Sequence, residues 1–111
     1  MPTKYDFGNM LPSNNYIDLT LGASGTQYTA PANGMFYLVK HATATNQYVG
    51  FLHYGSNYQE VMRAFGVADI FVNTLVRKGE TVAVLYTTDG TSSNDKFIFI
   101  YAEGEQSIIK Y

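Results

Sequence analysis

A chain of 111 residues holds one domain. It is 46% hydrophobic and only 14% charged, which excludes a disordered tail and a coiled coil. Seven basic against nine acidic residues leave no basic patch for a nucleic-acid backbone, and the absence of cysteine removes thiol catalysis, disulfides and cysteine-held metal centres together.

The elements follow in chain order. Residues 1–15 carry Gly8, Pro12, Asn14 and Asn15 among scattered apolar residues and read as an irregular lead-in. Met1–Asp6 is not a signal peptide, because no apolar stretch follows Lys4. Residues 16–111 read as one domain. Tyr16–Leu21 alternates, with Ile17, Leu19 and Leu21 on one face and Asp18 and Thr20 on the other, the pattern of a half-buried strand. Gly22-Ala23-Ser24-Gly25 ends it. Gln27–Ala30 is a short extended piece, and Pro31 excludes a central ladder position there. Asn33-Gly34 predicts a turn with φ > 0. Met35–Thr43 and Tyr48–Tyr54 follow as strands, the second with Gly50 as a bulge.

Tyr58, Val61, Met62 and Phe65 fit a helical stripe, but Gly55 and Gly66 bound the segment tightly, and strand is the better reading. Asp69–Leu75 is extended, Arg77-Lys78-Gly79-Glu80 is a polar turn, and Thr81–Thr87 is a β-branched strand. Asp89–Asp95 is a polar loop, Lys96–Ala102 the most apolar strand, and Ser107–Tyr111 a short last one. Short strands with turn signals between them predict an all-β, antiparallel sandwich or barrel.

Lys96–Ala102 is apolar on both faces: Phe97, Phe99 and Tyr101 on one, Ile98, Ile100 and Ala102 on the other. Met35–Val39 and Val82–Tyr86 share the trait. No helix is expected to cover a second apolar face, so either the chain closes into a filled barrel or another copy covers it. A fully buried Phe or Leu contributes roughly 1.5–3 kcal/mol, enough over three strands to hold a permanent oligomer. The expected oligomer interface is Tyr37, Tyr86, Phe97, Phe99 and Tyr101.

Three stretches resemble a known family. Gly25–Tyr37, with Tyr28-Thr29-Ala30-Pro31-Ala32-Asn33-Gly34 inside it, resembles a stretch of bacteriophage tail-fibre and receptor-binding tip domains. It is also similar to the corresponding stretch of complement globular heads and tumour-necrosis-factor-like jelly rolls. Val76–Val84 resembles the family's Gly-Asp turn and following strand, with Glu80 where Asp is usual. Phe97–Ala102 resembles its last strand. The resemblance implies a jelly-roll β-sandwich, a homotrimer whose inner sheet faces the threefold axis, and a binding tip without catalytic activity. Its place would be a virion tail, or outside the cell after release.

Candidate chemistry is sparse. His41 and His53 lack metal-ligand spacing, and no metal or other cofactor is expected. Asp89–Asp95 is rich in oxygen ligands but lacks the calcium-loop order and its bidentate Glu. No serine sits in a Gly-x-Ser-x-Gly elbow, and Glu103 and Glu105 read as a charged strand end. A rigid, amphipathic contact surface is expected from Asn46, Gln47, Tyr48, Tyr54, Asn57 and Tyr58. The leading expectation is a non-enzymatic receptor-binding head for a host glycan or surface protein. A structural trimerisation module of a virion or fibre is the alternative. A small carbohydrate-active or cupin-like enzyme is the second, disfavoured because no clustered His/Glu set exists.

Overall fold

Alternation of apolar and polar residues, broken by Gly, Pro and Asn, produces eight strands among the described residues. They are β1 (Pro12–Asp18), β2 (Gln27–Thr29), β3 (Gly34–Ala42), β4 (Tyr48–Tyr54), β5 (Gln59–Phe65), β6 (Ala68–Val76), β7 (Thr81–Tyr86) and β8 (Lys96–Ala102). The computed structural model describes residues 11–54 and 59–104, with the backbone alone at 59–63. The expected last strand, Ser107–Tyr111, lies outside the described residues.

The strands form two four-stranded antiparallel sheets packed as a sandwich. Sheet A has the order β1-β8-β3-β6 and sheet B the order β2-β7-β4-β5. The pairing is nested: β1 with β8, β2 with β7, β3 with β6, β4 with β5. A single closed barrel is thereby excluded, because each sheet keeps two edges. The nesting also sorts the loops into two ends. The β1–β2, β3–β4 and β7–β8 connections lie at one end, here the upper. The β2–β3 and β6–β7 connections lie at the lower end, where Glu103 N donates to Leu11 O at 2.6 Å.

β1 begins at Pro12, inside the segment expected to be irregular. The irregularity is a bulge within the strand: Pro12 pairs with Ala102 but Tyr16 with Ile100. Ser13 Oγ donates to Tyr101 O at 2.8 Å and accepts from Asn15 N at 3.0 Å, so a side chain satisfies what the broken ladder leaves. Gly50 is not a bulge, since β4 stays in register with both neighbours across it.

Gly34 is corrected as well. It opens β3 and pairs with Tyr101, without the positive φ expected of a turn residue. Glycine is needed there for space: a Cβ would run into the Ile100 carbonyl and come within 2.6 Å of the Phe99 ring. The positive φ falls instead at Gly79 (89°), in the turn closed by Glu80 N donating to Arg77 O at 3.0 Å.

The core is aromatic at its centre. Phe36, Phe51, Phe97, Phe99 and Tyr101 are buried between the sheets, with Leu38, Val49, Val72, Val82 and Val84 around them. Phe99 meets Phe36 and Tyr101 edge-on, at centroid separations of 5.1 and 5.2 Å. This corrects the expected oligomer interface. Phe97, Phe99 and Tyr101 are buried within one chain, so another copy cannot cover them. Tyr86 also points inward, its hydroxyl donating to Gly22 O at 2.8 Å. Only Tyr37 of the five projects outward. Ile98 and Ile100, of opposite parity on β8, therefore take the outer face.

That outer face of sheet A is apolar across its middle. It carries Tyr16 on β1, Ile98 and Ile100 on β8, Met35, Tyr37 and Val39 on β3, and Phe71 and Leu75 on β6, in adjacent registers. Phe71 is 55% exposed, Tyr16 51% and Leu75 44%. Polar residues interrupt it: Asp18 and Asn73 flank the Ile98–Tyr37 row, Lys96 lies beside Val39 in the row that ends at Phe71, and Asp69 stands at the upper end.

Candidate functional site

Among the described residues, the upper end of the sandwich gathers most of the side-chain hydrogen bonding. β3 and β6 pair through to their upper ends, so His41 and Asp69 face each other as an outward cross-strand pair. His41 Nδ1 lies 2.8 Å from Asp69 Oδ1. With a carboxylate as its partner, Nδ1 carries the proton and donates it. Asp69 Oδ2 accepts from Asn94 Nδ2 at 2.8 Å and from Ser92 Oγ at 3.2 Å. One carboxylate thus holds the β7–β8 loop against β3 and β6.

A second carboxylate joins that loop to the β3–β4 loop. Thr43 Oγ1 donates to Asp89 Oδ1 at 2.6 Å, and Gln47 Oε1 accepts from Thr43 N at 2.7 Å. Gly90 N donates to His41 O at 3.2 Å. Glycine is required at this crossing, because a Cβ would come within 2.7 Å of the His41 ring and 2.8 Å of the Thr43 methyl. Below, Asp95 Oδ2 accepts from Ser92 N at 3.3 Å and sits 3.9 Å from Lys40 Nζ, which lies 5.6 Å from the centre of the Tyr86 ring.

These contacts set the charge. Hydrogen bonds from Asn94, then His41, hold the Asp69 carboxyl below its ordinary value of 3.8, with Ser92 adding to the effect. Thr43, then Gln47, do the same for Asp89. Both therefore stay ionised at neutral pH. The cluster offers hydroxyls, amides, an imidazole and two carboxylates to a polar ligand. It is not a nucleophilic triad, since the Ser92 hydroxyl is directed at Asp69 and not at His41. Among the described residues of one chain, no group of three or more His, Asp or Glu is arranged to hold a metal ion.

Of the six residues expected to form a contact surface, the four described ones are divided between the two ends of the sandwich. Asn46 and Gln47 lie in the β3–β4 loop and Tyr48 opens β4, all at the upper end. Tyr48 packs against Phe65 with ring centroids 5.5 Å apart. Tyr54 closes β4 at the lower end, about 20 Å away along a seven-residue strand. Asn57 and Tyr58 lie outside the described residues. Gln47 braces its own loop through Thr43, which leaves Asn46 as the exposed amide there.

His53 belongs to a separate contact at the lower end. Its Nε2 lies 3.4 Å from Glu80 Oε1 without hydrogen-bond alignment, and Glu80 Oε1 accepts from Arg77 N at 2.7 Å. The two histidines are at opposite ends and share no site.

Sequence reasoning missed Thr43 as a partner in this cluster. His41 was legible as an outward residue from its parity with Tyr37 and Val39. Its partner is 28 positions away, and only the β3–β6 register brings the two together.

No family model, no curated protein and no solved structure matches this chain.

Proposed function

We propose that the chain is a non-enzymatic, receptor-binding jelly-roll head that works as a homotrimer, of the kind found at the tip of a phage tail fibre. The observation that carries this reading is the uncovered outer face of sheet A. Among the described residues, Phe71, Leu75, Tyr16, Met35, Tyr37, Val39 and Ile100 form an apolar patch that Asn73, Asp18 and Lys96 border. Such patches on soluble proteins mark association sites. A threefold ring covers this face on every copy when one part of the face on each chain packs against a different part on the next. The nested pairing of eight strands supports the jelly-roll form.

The binding surface in this reading is the upper end. Asn46, Tyr48 and Asn94 lie at the same end as the braced Asp69 and Asp89 carboxylates, opposite Leu11 and Glu103. Amides and carboxylates exchange hydrogen bonds with sugar hydroxyls, and a tyrosine ring stacks on an apolar sugar face. One such contact binds weakly, but three on one axis gain about 10²–10⁴ in avidity.

The test is binding of the purified chain to host cells and to a glycan array. Asn46→Ala with Asn94→Ala is expected to abolish binding while the assembly keeps its mass. Binding that survives this pair in an intact assembly overturns the upper-end site.

A further inference from the structure

Among the described residues, four strand edges stay open: β1 and β6 in sheet A, β2 and β5 in sheet B. An open ladder invites another strand, and proteins guard it with bulges, prolines, charges or shortness. β1 is guarded by Pro12, by its bulge and by Ser13, which bonds back to Tyr101 O. β2 is three residues long. β5 carries Glu60 and Arg63. β6 has none of these protections. Its nine residues pair with β3 without a shift from Ala68 to Val76. Its one charged residue, Asp69, stands at the upper end and is bonded to His41. Every second residue of an edge strand turns its N–H and C=O away from the ladder. Among the described residues, no backbone group of β6 finds a partner on that side.

The sequence holds a further β-prone stretch beyond the described residues, Ser107-Ile108-Ile109-Lys110-Tyr111. Its root is fixed. β8 ends at Ala102 at the lower end, Glu103 N donates to Leu11 O, and Gly104 takes the positive φ (86°) of a reversing turn. The three residues from Gly104 to Ser107 span at most about 11 Å. The position beyond β6 is three strand spacings from β8, about 14 Å. The position beyond β1 is two spacings away, about 10 Å. A strand that begins at Ser107 therefore falls short of its own β6 edge but reaches just past its own β1.

In a threefold ring with sheet A facing the axis, the β1 edge of one chain faces the β6 edge of the next. A strand just past β1 then stands beside that β6. It runs upward from the lower end while β6 runs downward from Ala68 to Val76, so the two are antiparallel. We propose that Ser107–Tyr111 of each chain adds as a fifth strand to the β6 edge of the neighbouring chain and joins the three A sheets around the ring. The proposal rests on the trimer reading above. Main-chain hydrogen bonds supply the affinity in strand addition of this kind. Because the contact is head-to-tail and the ring closes, no β6 edge is left open.

The chain has no cysteine, so two introduced thiols can be joined selectively. Leu75→Cys and Ile109→Cys are placed together in one chain, which is treated with a short bismaleimide that tolerates a register slip of one pair. Light scattering is run on this chain and on the parent. The expected results are the mass of three chains for both, and a denaturing gel with two and three chains joined covalently. In Ile109→Pro, which removes a ladder donor, the β6 amides of the trimer are expected to exchange about tenfold faster than in the parent. A trimer that gives cross-links only within single chains, or none, overturns the strand exchange and leaves the trimer reading standing. An Ile109→Pro trimer whose β6 amides exchange at the parent rate also overturns it. A single-chain mass for the parent overturns both readings together.

Discussion

Thr43 and Asp89 are 46 residues apart in the chain and joined by a hydrogen bond of 2.6 Å, from the Thr43 hydroxyl to Asp89 Oδ1. Through it the β3–β4 and β7–β8 loops behave as one surface. Thr43→Val keeps the shape and removes the donor. It is expected to lower stability slightly, because a charged acceptor loses its partner at an exposed site. Backbone exchange of residues 43–47 and 89–91 is expected to speed up together, as hydrogen-exchange mass spectrometry would read. Faster exchange in only one of the loops contradicts the coupling.

The same end predicts a pH dependence. Asp69 and Asp89 both have folded-state pKa values below their ordinary 3.8. Their contribution to stability is therefore fully present above the unfolded-state value, near pH 4 and higher. It is lost as pH falls through the lower, folded-state values. Thermal unfolding followed from pH 6 to pH 2 is expected to show a falling midpoint below about pH 4. The fall should be shallower in the Asp69→Asn, Asp89→Asn double variant. An equally steep fall in that variant assigns the acid sensitivity to other carboxylates.

Gly34→Ala tests the corrected reading of that glycine. The added methyl meets the Ile100 carbonyl and the Phe99 ring, neither of which can swing away without moving β8. The expected loss is about 1–3 kcal/mol in chemical denaturation, of the size found for overpacked cores. A neutral result means that β3 and β8 separate at little cost.

Tyr101→Phe is expected to be neutral or stabilising, by up to about 1 kcal/mol. Tyr101 is fully buried, and its hydroxyl has no partner among the described residues. An unpaired buried hydroxyl is a cost that phenylalanine removes. A marked destabilisation in a denaturant titration would show that the hydroxyl is in fact satisfied.

Much of the architecture was legible in the chain. The spans of β3, β4, β6, β7 and β8 follow from alternation and turn residues to within one position, and Gln59–Phe65 is a strand despite its helical spacing. The two-faced character of Lys96–Ala102 was legible too. Which face turns inward was not, because that depends on the width of the gap between the sheets, a property of all eight strands at once. β1 was placed late because Ser13 satisfies a bulge through its side chain, and that contact has no periodic signature. The candidate site was half legible. Asn46, Gln47 and Tyr48 fall at the same end as the Asp89–Asp95 loop. Tyr54 went to the other end because β4 is straight and in register between them. Asp69 gave no local signal, since its role comes from pairing across 28 residues.

The central claim is that the outer face of sheet A is covered by further copies of the chain. Light scattering on the purified protein at micromolar concentration tests it most directly, beside Phe71→Asp. Phe71 is 55% exposed in the single chain, so its replacement leaves the fold intact while placing a charge within the contact. The account predicts the mass of three chains for the parent protein, and the mass of one folded chain for Phe71→Asp. A parent protein with the mass of one chain at that concentration contradicts it.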